Sequence, residues 1–146
     1  MEYTQEIVVN VARERFIELF DNPQLMPQWQ EGLLSFEHLT GVPGREGATS
    51  KLTYKRGRGT LEMVETIFRR QLPDHFDGSY DAQGVHNISN NQFIDIDGTA
   101  TRWVAHNIFD MTGYMKIIGA LFGSTFRKQT LKTMQDFKDF AEAKTP

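Results

Sequence analysis

Chemistry in this chain must come from carboxylates, phenols, imidazoles, amines, guanidinium groups, hydroxyls and amides, because its 146 residues include no cysteine. That excludes a disulfide framework, a thiolate nucleophile and cysteine-based metal sites. The histidines, His38, His75, His86 and His106, are scattered. None pairs at the i,i+4 spacing that sets two imidazoles on one helix face, so no metal site is expected. No serine, histidine and aspartate set suggests a nucleophile triad. Asp95-Ile96-Asp97-Gly98 copies a fragment of a calcium loop without its remaining ligands, and a tight turn accounts for it. Gly57-Arg58-Gly59 lacks the helix that a phosphate loop needs. The residue that stands out is Glu65, because of the strand it occupies.

That strand, residues 60–70, alternates between two faces. One presents Leu61, Met63, Glu65, Ile67 and Arg69; the other presents Thr60, Glu62, Val64, Thr66 and Phe68. The first is the more apolar and is expected to face inward. An inward Glu65 is costly unless Tyr54, Tyr80, Asn107 or a water partners it, or unless it stays protonated with a raised pKa. It then becomes, with Tyr80, a candidate general acid or base, or an anchor for a ligand hydroxyl. The competing reading is a bulged register that turns Glu65 to solvent.

The same alternation orders the neighbouring strands. Leu52 and Tyr54 oppose Lys51, Thr53 and Lys55, so the first pair is expected inside. Trp103, Ala105, Asn107 and Phe109 oppose Arg102, Val104 and His106. Phe76, Gly78 and Tyr80 align, and Gly78 either leaves space or marks a bend.

Elements that would position these residues follow in a simple order. Residues 3–11 read as a strand. A short helix follows, with Phe16, Leu19 and Phe20 on one face, and Asp21-Asn22-Pro23 stops it. A second short helix or turn spans 24–29. Strands are expected at 34–42, 49–55, 60–70, 76–82, 87–96 and 99–111, with Asp97-Gly98 forming a hairpin turn. Residues 114–143 lack proline and read as one long helix, roughly 40 Å at about 1.5 Å per residue. Its apolar residues are Ile118, Leu121 and Phe122, then Met134, Phe137 and Ala141. The two groups are offset by roughly a quarter to a third of a turn, so the helix must change faces or bend near Gly119 and Gly123. Those small residues either make room for a ligand beside Phe122 and Phe126 or let the helix pack closely.

The totals fit one domain, residues 1–146, able to bury a core without staples. Eleven phenylalanines suit a core or pocket built from flat rings. A net charge of −3 gives no global attraction to nucleic acid, and the basic group Lys51, Lys55, Arg56 and Arg58 reads as a solvated hairpin tip. No stretch approaches the ~18 apolar residues of a membrane span. The opening Met1-Glu2-Tyr3-Thr4-Gln5-Glu6 has no basic and apolar leader, and a cytoplasmic location is expected.

The short hairpin connections make the sheet antiparallel, and the long helix alone can cover its buried face. The fold class is α+β: a curved antiparallel sheet of about seven strands, in the order β-α-α-β6-α, around a long C-terminal helix. The opening from Glu6 to Pro23, the Trp29-Gln30-Glu31-Gly32-Leu33-Leu34 segment and the Asp97-Gly98-Thr99-Ala100-Thr101 turn resemble the START-like superfamily of polyketide cyclase/dehydrase and lipid-transport proteins. Ile17 stands where tryptophan is common there, and Ala12 where proline is common. The resemblance implies the helix-grip fold, with a cavity between sheet and helix. The lining expected from strand faces and helix positions is Leu52, Tyr54, Met63, Glu65, Ile67, Phe76, Tyr80, Trp103, Asn107, Phe122 and Phe126.

Three functions follow as alternatives. One is binding of a small hydrophobic or aromatic molecule, lipid-like or polyketide-like, without cofactor. Another is a cyclase, aromatase or dehydratase that uses Glu65, Tyr80 and Asn107. The last is an interaction protein with a filled core. The resemblance itself implies no catalytic set.

Overall fold

The computed structural model describes residues 1–145. The elements are β1 (Glu2–Val9), α1 (Arg13–Phe20), a 3-10 turn (Met26–Gln28), β2 (Leu33–Thr40), β3 (Thr49–Arg56), β4 (Gly59–Gln71), β5 (His75–Ala82), β6 (Val85–Ile96), β7 (Ala100–Met111) and α2 (Tyr114–Ala143). The strands form one antiparallel sheet in the order β1-β7-β6-β5-β4-β3-β2. Consecutive strands from β2 to β7 are neighbours, as hairpin-length connections dictate. β1 closes on β7 and brings the chain start beside its last strand.

Local chemistry sets the boundaries. α1 ends at Phe20, just before the Asn22-Pro23 pair, and the Asp21 amide caps it by donating to the Ile17 carbonyl. The β6–β7 hairpin turns on Asp97 and Gly98, both with positive φ (51° and 70°), the geometry of a two-residue type I′ turn.

One end of the sheet is packed solid. Phe16, Phe93 and Phe137 are fully buried, and Trp103 is nearly so. Phe137 of α2 meets Phe16 at 4.7 Å, Trp29 at 4.9 Å and Trp103 at 5.6 Å between ring centroids. Met134 and Ala141 share its face and are buried with it. This cluster fastens the C-terminal half of α2 across α1 and the sheet.

The N-terminal half of α2 behaves differently. The helix breaks at Phe122, whose φ of −126° and ψ of 27° are not helical. The break falls between Gly119 and Gly123, where the offset between the two apolar stripes requires it. On its N-terminal side the helix turns Ile117, Leu121 and Phe122 to solvent, 58%, 70% and 54% exposed. At Gly119 an added Cβ would lie 2.2 Å from the Met111 sulfur, and at Gly123 it would lie 3.1 Å from the Met1 sulfur. Both glycines therefore serve close packing of helix on strand ends and do not open space for a ligand.

Candidate functional site

Register fixes which residues share the inner face. Ser50, Glu65, Tyr80, Asn87 and Phe109 are successive cross-strand partners from β3 to β7. The next row runs through Ile67, Gly78, Ser89, Asn107 and Tyr3. Leu52 pairs with Met63, and Tyr54 with Leu61. Partners in a ladder point to the same side, so Glu65 faces the helix along with Leu52 and Tyr54. A bulge does occur in β4, but it lies between Ile67 and Arg69, beyond Glu65. Its effect is on Arg69, which the alternation placed inside. One extra residue reverses the faces, so Arg69 is exposed and lies 3.8 Å from Asp77, while Arg70 reaches Asp21.

Glu65 is 7% exposed and accepts a hydrogen bond from the Tyr80 hydroxyl at 2.8 Å. Burial pushes its carboxyl above the ordinary carboxylate value, and the Tyr80 bond pulls it back. Burial also raises the Tyr80 phenol, and the nearby Glu65 charge raises it further. Tyr54 is shifted in the same direction, again by burial and then by Glu65, and its hydroxyl donates to Gln30 Oε1. Two neutral phenols thus flank one buried carboxyl, an arrangement able to hold or pass a proton.

A band of amides continues the polar wall. Asn87 donates to Asn107 Oδ1 at 3.2 Å, and Asn91 donates to Ser89 Oγ at 3.2 Å. Asn91 also accepts from the Trp103 indole at 2.8 Å, which ties the band to the aromatic cluster. Gln30, Asn87, Ser89 and Asn91 were not among the expected lining. The signal was present: Asn87, Ser89, Asn91 and Phe93 alternate in phase, and the buried Phe93 marks their face as inward.

The expected lining separates into groups. Glu65, Tyr80, Tyr54, Met63 and Asn107 share the inner face of the sheet. Leu52, Ile67 and Trp103 are 1%, 5% and 5% exposed, and Phe76 packs on Phe20 with ring centroids 6.1 Å apart, so protein already occupies most of their surface. Phe126 packs on Phe109 with ring centroids 5.2 Å apart, and its carbonyl accepts from the Tyr3 hydroxyl. Phe122, expected inside, is largely exposed because the helix break turns it away. Gly78 marks a close approach: an added Cβ would lie 2.8 Å from the Thr66 carbonyl oxygen.

An open groove of about 800 Å³ lies between α1 and the strand-end turns, lined by Arg13, Glu18, Asp21, Pro73 and Asp95 among others. It shares no residue with the Glu65 wall. Its charges are used internally, Arg13 by Asp74 at 2.7 Å and Asp21 by Arg70. The buried groups that shift one another, Glu65, Tyr80 and Tyr54, lie away from it. Among the described residues no cluster of histidine and carboxylate side chains could hold a metal ion, and no helix is long and apolar enough to cross a membrane.

No family model matches the chain, and no curated protein matches it. Solved structures do. The Zhui aromatase/cyclase from Streptomyces sp. R1128 has a TM-score of 0.78 at 10% identity, over 100% of this chain and 96% of that one. Ara h 8.0201 has a TM-score of 0.76 at 13% identity, over 98% of both chains. A norcoclaurine synthase point mutant from Thalictrum flavum, in complex with a transition-state analogue, has a TM-score of 0.74 at 11% identity, over 100% and 96%. At such identities the likeness shows the fold, and it bears out the helix-grip architecture expected from the sequence.

Proposed function

We propose that this helix-grip domain binds a small, mainly apolar molecule beneath the N-terminal half of α2, with Glu65 and Tyr80 as its polar anchor. The observation that carries the reading is the division of α2. Its C-terminal half is sealed by Phe137, Met134 and Ala141, whereas its N-terminal half leaves Ile117 and Leu121 exposed, and on the inner face of the sheet Tyr54, Met63 and Tyr80 remain only partly buried. A ligand that covers them gains the burial the protein leaves incomplete. Its apolar part would lie against Met63 and Leu61. A hydroxyl or carbonyl would meet Glu65, Tyr80 or Asn107.

The test is native mass spectrometry of the purified protein, together with titration by 8-anilinonaphthalene-1-sulfonate and by a fatty acid. A retained small molecule, or saturable probe binding weakened by Met63→Asp, supports the reading. Absence of both removes it.

A second reading is favoured by the raised carboxyl of Glu65 beside a phenol: acid/base catalysis of the cyclase, aromatase or dehydratase type. Two solved structures with this fold carry the names of an aromatase/cyclase and a synthase. Glu65 would then move the proton, and Tyr80 would hold it in place. Glu65→Gln should abolish turnover of a polyketone substrate while leaving its binding intact; unchanged turnover removes that role.

A further inference from the structure

The N-terminal half of α2 carries another feature, independent of the inner wall. Between Met111 and Gln135 the chain has no aspartate or glutamate, but it has Lys116, Arg127, Lys128 and Lys132. Lys132 is neutralised by Glu31 and Asp136. Among the described residues Lys116, Arg127 and Lys128 form no ion pair, and Arg127 lies over the Tyr3 ring, 5.4 Å from its centroid. Tyr114, Ile117 and Leu121 recur at i, i+3 and i+7, so they share one helix face, and they are 72%, 58% and 70% exposed. An apolar face left in water beside unpaired cations marks a surface made to meet something.

Register brings a second basic element to the same end. The tip of the β3–β4 hairpin holds Lys55, Arg56 and Arg58. The start of β4 lies toward the β5–β6 turn, since Val64 pairs with Asp81, and that turn meets Met111, since Val85 pairs with Met111. α2 begins three residues later. The acids at this end, Glu62, Asp81 and Asp110, alternate out of phase with the inner-face residues and project from the opposite side of the sheet. Lys55 shares that outer side with them, whereas Arg56 is in phase with the inward Leu52 and Tyr54.

We propose that this end of the protein docks on an anionic lipid surface. Tyr114, Ile117 and Leu121 enter the boundary between headgroups and acyl chains. Lys116, Lys128 and Arg56 face the lipid phosphates. The net charge of −3 does not oppose this, because charges beyond about 8 Å are largely screened at physiological salt. A second copy of the chain is a poorer occupant, because Lys116, Arg127 and Lys128 would then face their own kind without a compensating acid.

The test is co-sedimentation with vesicles of phosphatidylcholine alone and of phosphatidylcholine with about one-third phosphatidylserine. Binding is expected only to the mixed vesicles, with loss at high salt. Leu121→Ser and the pair Lys116→Glu/Lys128→Glu should each weaken it by about ten-fold or more. Both changes are at exposed positions, so circular dichroism and the thermal midpoint should match the parent chain. No partition onto mixed vesicles, equal partition onto phosphatidylcholine alone, or variants that bind like the parent would overturn the proposal. So would a dimer that Leu121→Ser dissociates without any effect on vesicles.

Discussion

Replacing Tyr80 with phenylalanine deletes a single hydroxyl, the one that donates to Glu65 at 2.8 Å. A hydrogen bond to a charged group contributes about 1.5–3 kcal/mol net, and a neutral one about 0.5–1.5 kcal/mol. Which value applies depends on whether Glu65 is ionised. Its folded-state pKa is raised by burial, so the folded protein holds this proton more tightly than the unfolded chain does. The stability contributed by the protonated group is complete below the unfolded-state value. It is lost as pH rises through the folded-state value. The Tyr80 bond favours the ionised form and reduces that loss. Tyr80→Phe should therefore cost about 2 kcal/mol at a pH above the folded-state value of Glu65, where its carboxyl is ionised, and about 1 kcal/mol near pH ~3, where Glu65 is protonated in both states. For a chain of this size, that is a fall in thermal midpoint of roughly 6 °C and roughly 3 °C. The assay is thermal and urea unfolding of the parent, Tyr80→Phe, Glu65→Gln and the double variant at both pH values. In the Glu65→Gln background the Tyr80 cost should no longer depend on pH, and the upward shift of stability with acid should disappear. An equal cost at both pH values with Glu65 present, or a cost below about 0.5 kcal/mol at the higher pH, would show that the pair does not interact as described.

Two further outcomes test the packing that frames the site. Phe137→Ala removes the ring that joins α2 to Phe16, Trp29 and Trp103, and should cost about 3–5 kcal/mol in urea unfolding. A cost near 1 kcal/mol would mean that this end is not solid. Gly119→Ala places a methyl 2.2 Å from the Met111 sulfur and should destabilise by about 1–3 kcal/mol. The added change Met111→Ala should recover part of that loss; no recovery would show that the helix half does not rest on β7 through this contact.

Much of the scaffold was legible because its determinants are local. Alternation along 49–55 and 99–111, the Asn22-Pro23 stop and the Asp97-Gly98 turn act within a few residues, and each element lies within a residue or two of its expected place. β1 is the shorter exception. It ends at Val9, and Val11 leaves the ladder so that its carbonyl can accept from Thr101 Oγ1. The offset between the two halves of α2 likewise announced a bend. Whether that bend hides Phe122 or exposes it was not written in the spacing. That depends on Phe137 anchoring one half and Met111 propping the other.

Glu65 shows the same division most clearly. Its strand and its neighbours followed from residue order, but its environment turned on where a bulge falls in β4. Before Glu65 the bulge would have put the carboxylate in water; after Ile67 it puts Arg69 there instead. Sequence alone determined the strands, the turns, the long helix and the aromatic supply for a core. Tertiary structure decided which carboxylate loses its water, which phenol donates a hydrogen bond to it, and which residues of the helix stay in water. Burial and bulge position are set by contacts among strands far apart in the chain, and no local pattern encodes them.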